Sequence, residues 1–316
     1  MNQESGSSPV KELSVIIPYY MGKECLEELT SRLSATLSEL TADWELVLVD
    51  DRSPDEGWEL IKKTCAKEPR IRALKLSRNY GQHPAISAGI NTAWARWYVV
   101  MDCDLQDRPE DIALLYRTAV RENADIVIAK RESSGMGKRR SLGSRAFNEL
   151  LSWASGLKVS DKAGNFRIFS HKAAEAYRQL SQQNRVFAVV MAQIGLNPKY
   201  VVLPRDERPR GESSYTAWKL ISMAASVLIM YPHKPLLFLT ASSLVVTFMA
   251  LALGGAYFVL GLLGFFGTQG FATITILIIA FGGVQLLMIS AIGFNLAELL
   301  RQTQKRPDYI IDQMVN

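Results

Sequence analysis

Three observations predict an α/β head with a mostly parallel, Rossmann-like sheet, followed by an interfacial helix and two transmembrane helices. Apolar runs of strand length alternate with stretches of helical period, and none is joined to the next by a two-residue hairpin. That is the pattern of parallel strands with helices on both faces of the sheet. Two of the strand-like runs end directly in carboxylates, at the edge where open α/β sheets bind their ligands. Finally, between Pro235 and Ala297 there is no Asp, Glu, Lys or Arg, whereas the part before it has the composition of a soluble domain.

In chain order, residues 13–17 read as a buried strand, and 24–40 as a helix with apolar positions at helical spacing. A second strand over 45–49 ends in Asp50-Asp51-Arg52-Ser53-Pro54. A helix over 56–66 leads to a strand over 71–76, then to Ser77-Arg78-Asn79-Tyr80-Gly81-Gln82-His83 and a helix through Ala93. The strand 97–101 runs into Asp102-Cys103-Asp104-Leu105-Gln106-Asp107, so two carboxylates one residue apart stand at a strand end, where a hard divalent cation can bridge them to phosphate. A helix over 110–123 and a strand over 125–129 follow. Residues 130–144, rich in Gly, Ser, Lys and Arg, read as a loop. A helix over 145–155, a loop over 158–165, a strand over 166–169, helices to about 195 and a strand over 200–203 complete the head.

Residues 1–212 are thus expected to form the head, 213–234 an amphipathic helix lying in the membrane interface, and 235–297 two spans, over 236–263 and 271–294. Each span exceeds the ~20 residues that cross a hydrocarbon core. A core helix of the head is the competing reading of 215–231. The polar start carries no secretory signal. Lys219, His233 and Lys234 precede the first span and Arg301, Lys305 and Arg306 follow the second, while the connection over 264–270 is uncharged. The positive-inside rule then puts the head and both termini in the cytoplasm, with 298–316 a cytoplasmic tail of an inner (plasma) membrane protein. Cys25, Cys65 and Cys103 have no metal-ligand or redox spacing, as suits reduced thiols. The net charge of +5 suits a protein lying against anionic lipid. Gly254, Gly255, Gly261 and Gly264 offer close helix packing for a homo-oligomer.

The ordered set Pro18-Tyr19-Tyr20, Val49-Asp50-Asp51-Arg52-Ser53, Arg78-Asn79-Tyr80-Gly81-Gln82 and Met101-Asp102-Cys103-Asp104-Leu105-Gln106 resembles the A-type fold of the family-2 glycosyltransferases. With Arg208-Pro209-Arg210-Gly211-Glu212-Ser213-Ser214-Tyr215 and the two spans, nearly the whole chain is similar to the polyprenyl-phosphate glycosyltransferases, which act on dolichyl or undecaprenyl phosphate. The resemblance implies transfer of one sugar, with inversion, from a nucleoside-diphosphate sugar, expected to be UDP-linked, to a polyprenyl phosphate, expected to be undecaprenyl phosphate. The product would serve cell-envelope glycan or lipopolysaccharide modification. The resemblance implies a membrane as partner and no nucleic acid.

By the same resemblance, Pro18 and Tyr20 wall the base pocket, and Asp50, Asp51 and Glu24 contact base or ribose. Asp102 and Asp104 flank the diphosphate and hold Mg²⁺ or Mn²⁺, with Gln106 as a further oxygen ligand. Arg131, Arg208, Arg210 and Ser213 take the acceptor phosphate, for which the guanidinium fork is suited, and Arg131 joins Asp102 and Asp104 as catalytic. The acceptor phosphate is already ionised, so positioning and charge neutralisation outweigh general-base catalysis. Lys138-Arg139-Arg140 reads as a lipid-headgroup patch.

The chain departs from the family at three places. Met21 and Gly22 stand where Asn-Glu is usual, Asp161-Lys162-Ala163-Gly164-Asn165-Phe166-Arg167 replaces a Gly-Asp-Phe-Arg or Asp-Tyr-Gly turn, and Ser214 replaces a Lys. Either Asp161 or Asn165 is then available to the acceptor side. Two other functions compete. A processive polysaccharide synthase would carry Gln-x-x-Arg-Trp, whose nearest match, Gln182-Gln183-Asn184-Arg185-Val186, lacks the Trp. An inactive membrane-anchored nucleotide-sugar-binding scaffold would explain Met21, Gly22 and Ser214, but the complete Asp102, Asp104 and Gln106 set opposes it.

Overall fold

The computed structural model describes residues 11–131, 163–180, 186–196, 198–203 and 307–315, with scattered positions between 241 and 296. The chain divides into two units, one of Met1–Asn148, Leu157–Thr216 and Pro307–Asn316, the other of Glu149–Gly156 and Ala217–Arg306.

In the first unit the elements run β1 (Lys11–Tyr19), α1 (Lys23–Leu40), β2 (Trp44–Asp50), α2 (Gly57–Lys67), β3 (Ile71–Leu76), α3 (Gln82–Thr92), β4 (Ala95–Val100), a 3-10 turn (Pro109–Asp111), α4 (Ile112–Arg121) and β5 (Ile126–Arg131). They continue with β6 (Ala163–Ser170), α5 (His171–Leu180), α6 (Phe187–Gln193), β7 (Lys199–Leu203) and β8 (Ile311–Val315). One sheet takes the order β7-β5-β6-β4-β1-β2-β3-β8. The pairs β1–β2, β1–β4, β2–β3 and β5–β7 are parallel. The pairs β4–β6, β5–β6 and β3–β8 are antiparallel.

The alternation along β1 divides the core. Leu13, Val15, Ile17 and Tyr19 face one layer with Leu26 and Leu33 of α1, Ile61 of α2 and Leu115 of α4. Ile16 faces the other with Ile86 of α3, Tyr177 of α5 and Phe187 of α6. Both faces are covered, so the central strands are fully buried, which is why they read as continuous apolar runs rather than as alternating ones. Helix α3 crosses so close to β1 that a Cβ at Gly89 would meet Ile16 Cγ2 at 2.3 Å, leaving room for glycine only.

The expected head elements are present wherever the chain is described, with ends moved by up to three residues: β6 starts at Ala163, inside the expected 158–165 loop, and β5 runs on through Lys130 and Arg131 of the expected 130–144 loop. The C-terminal residues differ from expectation: rather than a bare tail, Ile311–Val315 is a strand in the head's own sheet. In the second unit the described positions between 241 and 296 are helical at nearly every place. Their apolar side chains stand open, Phe248 being 70% exposed, Leu286 67% and Ile278 66%. Among the described residues no helix is long and apolar enough to cross a membrane. Most of the expected spans, the interfacial helix, the 132–162 region, Arg208, Arg210 and Ser213 lie outside the described residues.

Candidate functional site

Because β1, β2, β3 and β4 run parallel and in register, with Tyr19 beside Asp50 and Asp50 beside Lys75, their carboxyl ends lie along one edge of the sheet. The loops that leave this edge hold four residues with left-handed backbone, Met21 (φ 54), Arg52 (φ 57), Glu56 (φ 57) and Leu105 (φ 56). Non-glycine residues there cost on the order of 1–3 kcal/mol each, so strain is concentrated where the four motifs meet.

The first two loops are joined through Asp55, which the sequence analysis passed over. Its Oδ2 accepts from Tyr19 Oη at 2.8 Å and Lys23 N at 3.1 Å, and its Oδ1 from Ser53 Oγ at 2.7 Å and Gly57 N at 3.1 Å. Ser53 Oγ in turn accepts from Met21 N at 2.8 Å. Burial alone would raise the Asp55 carboxyl, but the hydrogen bonds from Ser53, Tyr19, Gly57 and Lys23 outweigh it and hold the group below its ordinary value. Burial, and then Asp55, hold the Tyr19 phenol protonated. A carboxylate two residues beyond Ser53, just ahead of a helix, was the available signal.

The unusual Gly22 also acquires a cause. A Cβ on it would lie 3.0 Å from Cys103 Sγ and 3.3 Å from Tyr19 Cε2, so the thiol between the two strand-end aspartates occupies the space that a side chain at 22 would need. Burial pushes that thiol up to about 11, which leaves it a packing group rather than a nucleophile. We expect Gly22→Ala to cost about 1–2 kcal/mol and Cys103→Ala in the same chain to return most of it, read from denaturation midpoints. Strictly additive losses would show that the two positions share no space.

Asp50 and Asp51 are both buried, at 0% and 3% exposure, but do different things. Asp51 Oδ1 accepts from Tyr80 N at 2.7 Å and Oδ2 from Gly81 N at 2.8 Å, so this carboxylate fixes the loop after β3. Asp50 Oδ1 accepts from Ser53 N at 2.8 Å, whereas its buried Oδ2 has no hydrogen-bond partner and only Lys75 Nζ at 3.9 Å. Burial raises both carboxyls. A buried acceptor of this kind is completed by a donor from outside the chain, a water or a ligand. Pro18 is buried beside Val49, Tyr20 is 45% exposed, and Glu24 lies exposed in the first turn of α1.

At the end of β4, Asp102 Oδ1 accepts from Gln82 Nε2 at 2.7 Å and from Asn165 Nδ2 at 3.4 Å. Asp104 Oδ2 accepts from Gln106 Nε2 at 2.7 Å and its Oδ1 from Gln106 N at 3.2 Å. Gln106 is 2% exposed with its amide nitrogen toward Asp104. That hydrogen bond orients the Asp104 carboxylate. Among the described residues no three His, Cys, Asp or Glu gather round one point. The donor set nevertheless fits a hard cation, since two carboxylates on a fixed loop are what Mg²⁺ or Mn²⁺ uses when phosphate and water fill its other positions. Arg131 closes β5 opposite Leu203 of β7, on the far side of β6 from β4. Arg167 is fully buried on β6. Its guanidinium, depressed to about 10 by burial, lies 4.9 Å over the Phe187 ring.

Comparison with known proteins agrees with this geometry. The family model described as "Glycosyl transferase family 2" matches residues 14–178, just over half of the chain. The chain is 29% identical over 304 residues to an uncharacterized glycosyltransferase of Synechocystis, covering 96% of this chain and 95% of that one. It is 29% identical over 309 residues to the undecaprenyl-phosphate 4-deoxy-4-formamido-L-arabinose transferase of Photorhabdus laumondii, covering 97% and 95%. Among solved structures it is similar to glucosyl-3-phosphoglycerate synthase of Mycobacterium tuberculosis in complex with Mn²⁺, UDP and phosphoglyceric acid. There the TM-score is 0.50 and the identity 17%, covering 71% of this chain and 78% of that one, so the likeness speaks for the fold alone.

Proposed function

The chain belongs to glycosyl transferase family 2, and from that premise we propose that it is a membrane-bound inverting transferase. It moves one sugar from a UDP-sugar to undecaprenyl phosphate, at the cytoplasmic face of the inner membrane, to make a lipid-linked donor for cell-envelope modification. The observation that carries the reading is the loop 77–82, which grips Asp51 with two backbone N–H groups and Asp102 with a side-chain amide. It ties the nucleotide end of the edge to the diphosphate end.

In this reading the base enters between Pro18 and Tyr20, and the orphaned Asp50 Oδ2 accepts from its imide N–H. Asp102 and Asp104 stand against the diphosphate. A Mg²⁺ or Mn²⁺ bound by them would offset the charge gathering on the leaving nucleoside diphosphate. Arg131, Arg208, Arg210 and Ser213 hold the acceptor phosphate, whose oxygen attacks the anomeric carbon from the side opposite the leaving group. No proton need be removed, so alignment dominates.

Membrane attachment is supported by the uncharged 235–297 stretch and by the open apolar side chains at its helical positions. The residues before this stretch and those after it share one sheet, and a chain whose flanks lie on one side of a bilayer crosses it an even number of times. Two spans satisfy that condition. The name of the Photorhabdus relative, which this chain matches along nearly its whole length, supports the acceptor.

Steady-state kinetics in detergent test the proposal. Purified protein with Mn²⁺, a UDP-sugar and a short polyprenyl phosphate is expected to form a lipid bearing one sugar. Arg131→Ala and Arg208→Ala should each lower kcat/KM for the lipid about tenfold or more, the effect of about 1.5–3 kcal/mol from a charged phosphate contact, with little change in KM for the UDP-sugar. A polymer, no product, or unchanged lipid kinetics in both variants would refute the assignment.

A further inference from the structure

The Asp102 contacts carry a step beyond the family's acidic pair. Two side-chain amides, one at the start of α3 and one on β6, converge on one oxygen, Gln82 Nε2 at 2.7 Å and Asn165 Nδ2 at 3.4 Å from Asp102 Oδ1. Neither amide is loosely hung. Gln82 opens α3 directly after Gly81, whose N–H is held by the buried carboxylate of Asp51 at 2.8 Å. Asn165 is set by the buried Arg167, which donates to the carbonyls of Asn165 at 3.3 Å and Gly164 at 2.7 Å. A buried anion on one side and a buried cation on the other therefore fix the backbone from which each amide reaches Asp102.

The chemistry of the donors matters as much as their number. A Lys or Arg at either place would orient the carboxylate but also neutralise it, in competition with a bound cation. A neutral amide orients it without adding a positive charge of its own. We propose that Gln82, with Asn165 in support, is a positioning residue that presents the Asp102 carboxylate to a divalent cation and the donor diphosphate. This gives Asn165 a place on the donor side rather than the acceptor side expected from the sequence. The inference rests on the proposed function, because it needs a cation-assisted diphosphate at Asp102.

The test is Mn²⁺ titration followed by electron paramagnetic resonance, with UDP present and no acceptor, on the full-length protein in detergent. Hydrogen-bond partners of metal ligands typically change metal affinity 10- to 100-fold. Gln82→Ala is therefore expected to raise the Mn²⁺ Kd about tenfold, and Asn165→Ala, with the longer contact, about threefold. Metal-free UDP affinity and Tm should stay at wild-type values, since Gln82 is exposed. Gln82→Lys, which sets a cation beside Asp102, should suppress Mn²⁺ uptake further than Gln82→Ala while UDP still binds. Asp102→Asn is the reference for a lost ligand. If wild type takes up no Mn²⁺ with UDP, the functional reading falls and this inference with it. If Asp102→Asn loses Mn²⁺ while both Gln82 variants bind it as wild type does, the inference alone is overturned. A fall in Tm or in metal-free UDP affinity that accounts for the loss would likewise overturn it, by making Gln82 a merely structural residue.

Discussion

Asp104→Asn is expected to lower kcat by about 10²–10³, the scale set by removing one electrostatic contact to a developing charge, while leaving Tm unchanged. The substitution is isosteric, and Asp104 is partly open on a loop whose Gln106 can keep a hydrogen bond to an amide oxygen. Only the charge is lost. Addition of EDTA to the wild-type assay should have a matching effect, because in the proposed function that charge holds the cation. Turnover that survives both treatments would end the case for a metal at this loop.

The second large effect concerns the C-terminus. Truncation after residue 231 retains every strand-end motif, and by sequence alone it should leave an intact donor-binding head. The structure points to a different outcome, because that cut also removes β8. Its segment contributes Arg52 Nη1 to Asp312 Oδ2 at 2.7 Å, Trp58 Nε1 to Gln313 Oε1 at 2.9 Å, Asn91 Nδ2 to Tyr309 Oη at 3.0 Å and Ser77 N to the Ile310 carbonyl at 2.9 Å. Arg52 and Ser77 belong to the loops flanking Asp50 and Asp51. The Arg52–Asp312 pair is about half exposed and counts for little, but the remaining contacts and the strand pairing together are worth about 2–4 kcal/mol. The truncated head should melt several degrees lower, bind UDP more weakly and self-associate along the bared β3. Joining residues 307–316 back through a flexible Gly/Ser linker should restore it. A truncated head with the Tm and UDP affinity of the full chain would show that β8 is dispensable.

How far each feature was legible depended on its range. Strands β1 to β4 are largely buried on both faces and so appear as mainly apolar runs, of which β2 and β4 lead into carboxylates. A mostly parallel sheet and its ligand-binding edge were legible from that, whereas the order of the strands in the sheet was not. Asp55 was not legible in the same way, because its partners Tyr19 and Lys23 lie more than thirty positions away. The different duties of Asp50 and Asp51 depend on which carboxylate the 78–81 loop happens to reach. Gln106 could be placed beside Asp104 by spacing, but not the direction of its amide. Strand β8 was missed because five residues with an acidic and an amide side chain in the middle, Ile311-Asp312-Gln313-Met314-Val315, carry no strand pattern of their own. Pairing with β3 makes the strand, not propensity.

The position of β8 in the sheet also bears on the order of events during synthesis. Arg52 and Asp312 are 260 residues apart in sequence, and chains grow at about 5–20 residues per second. The loop that carries Asp50 and Asp51 therefore leaves the ribosome tens of seconds before the strand that braces it is made. During that interval the whole uncharged stretch is translated. The edge of the sheet at β3 is therefore completed only after that stretch has been made, so a nascent chain that has not yet reached Ile311–Val315 holds the Asp50–Asp51 loop without its brace.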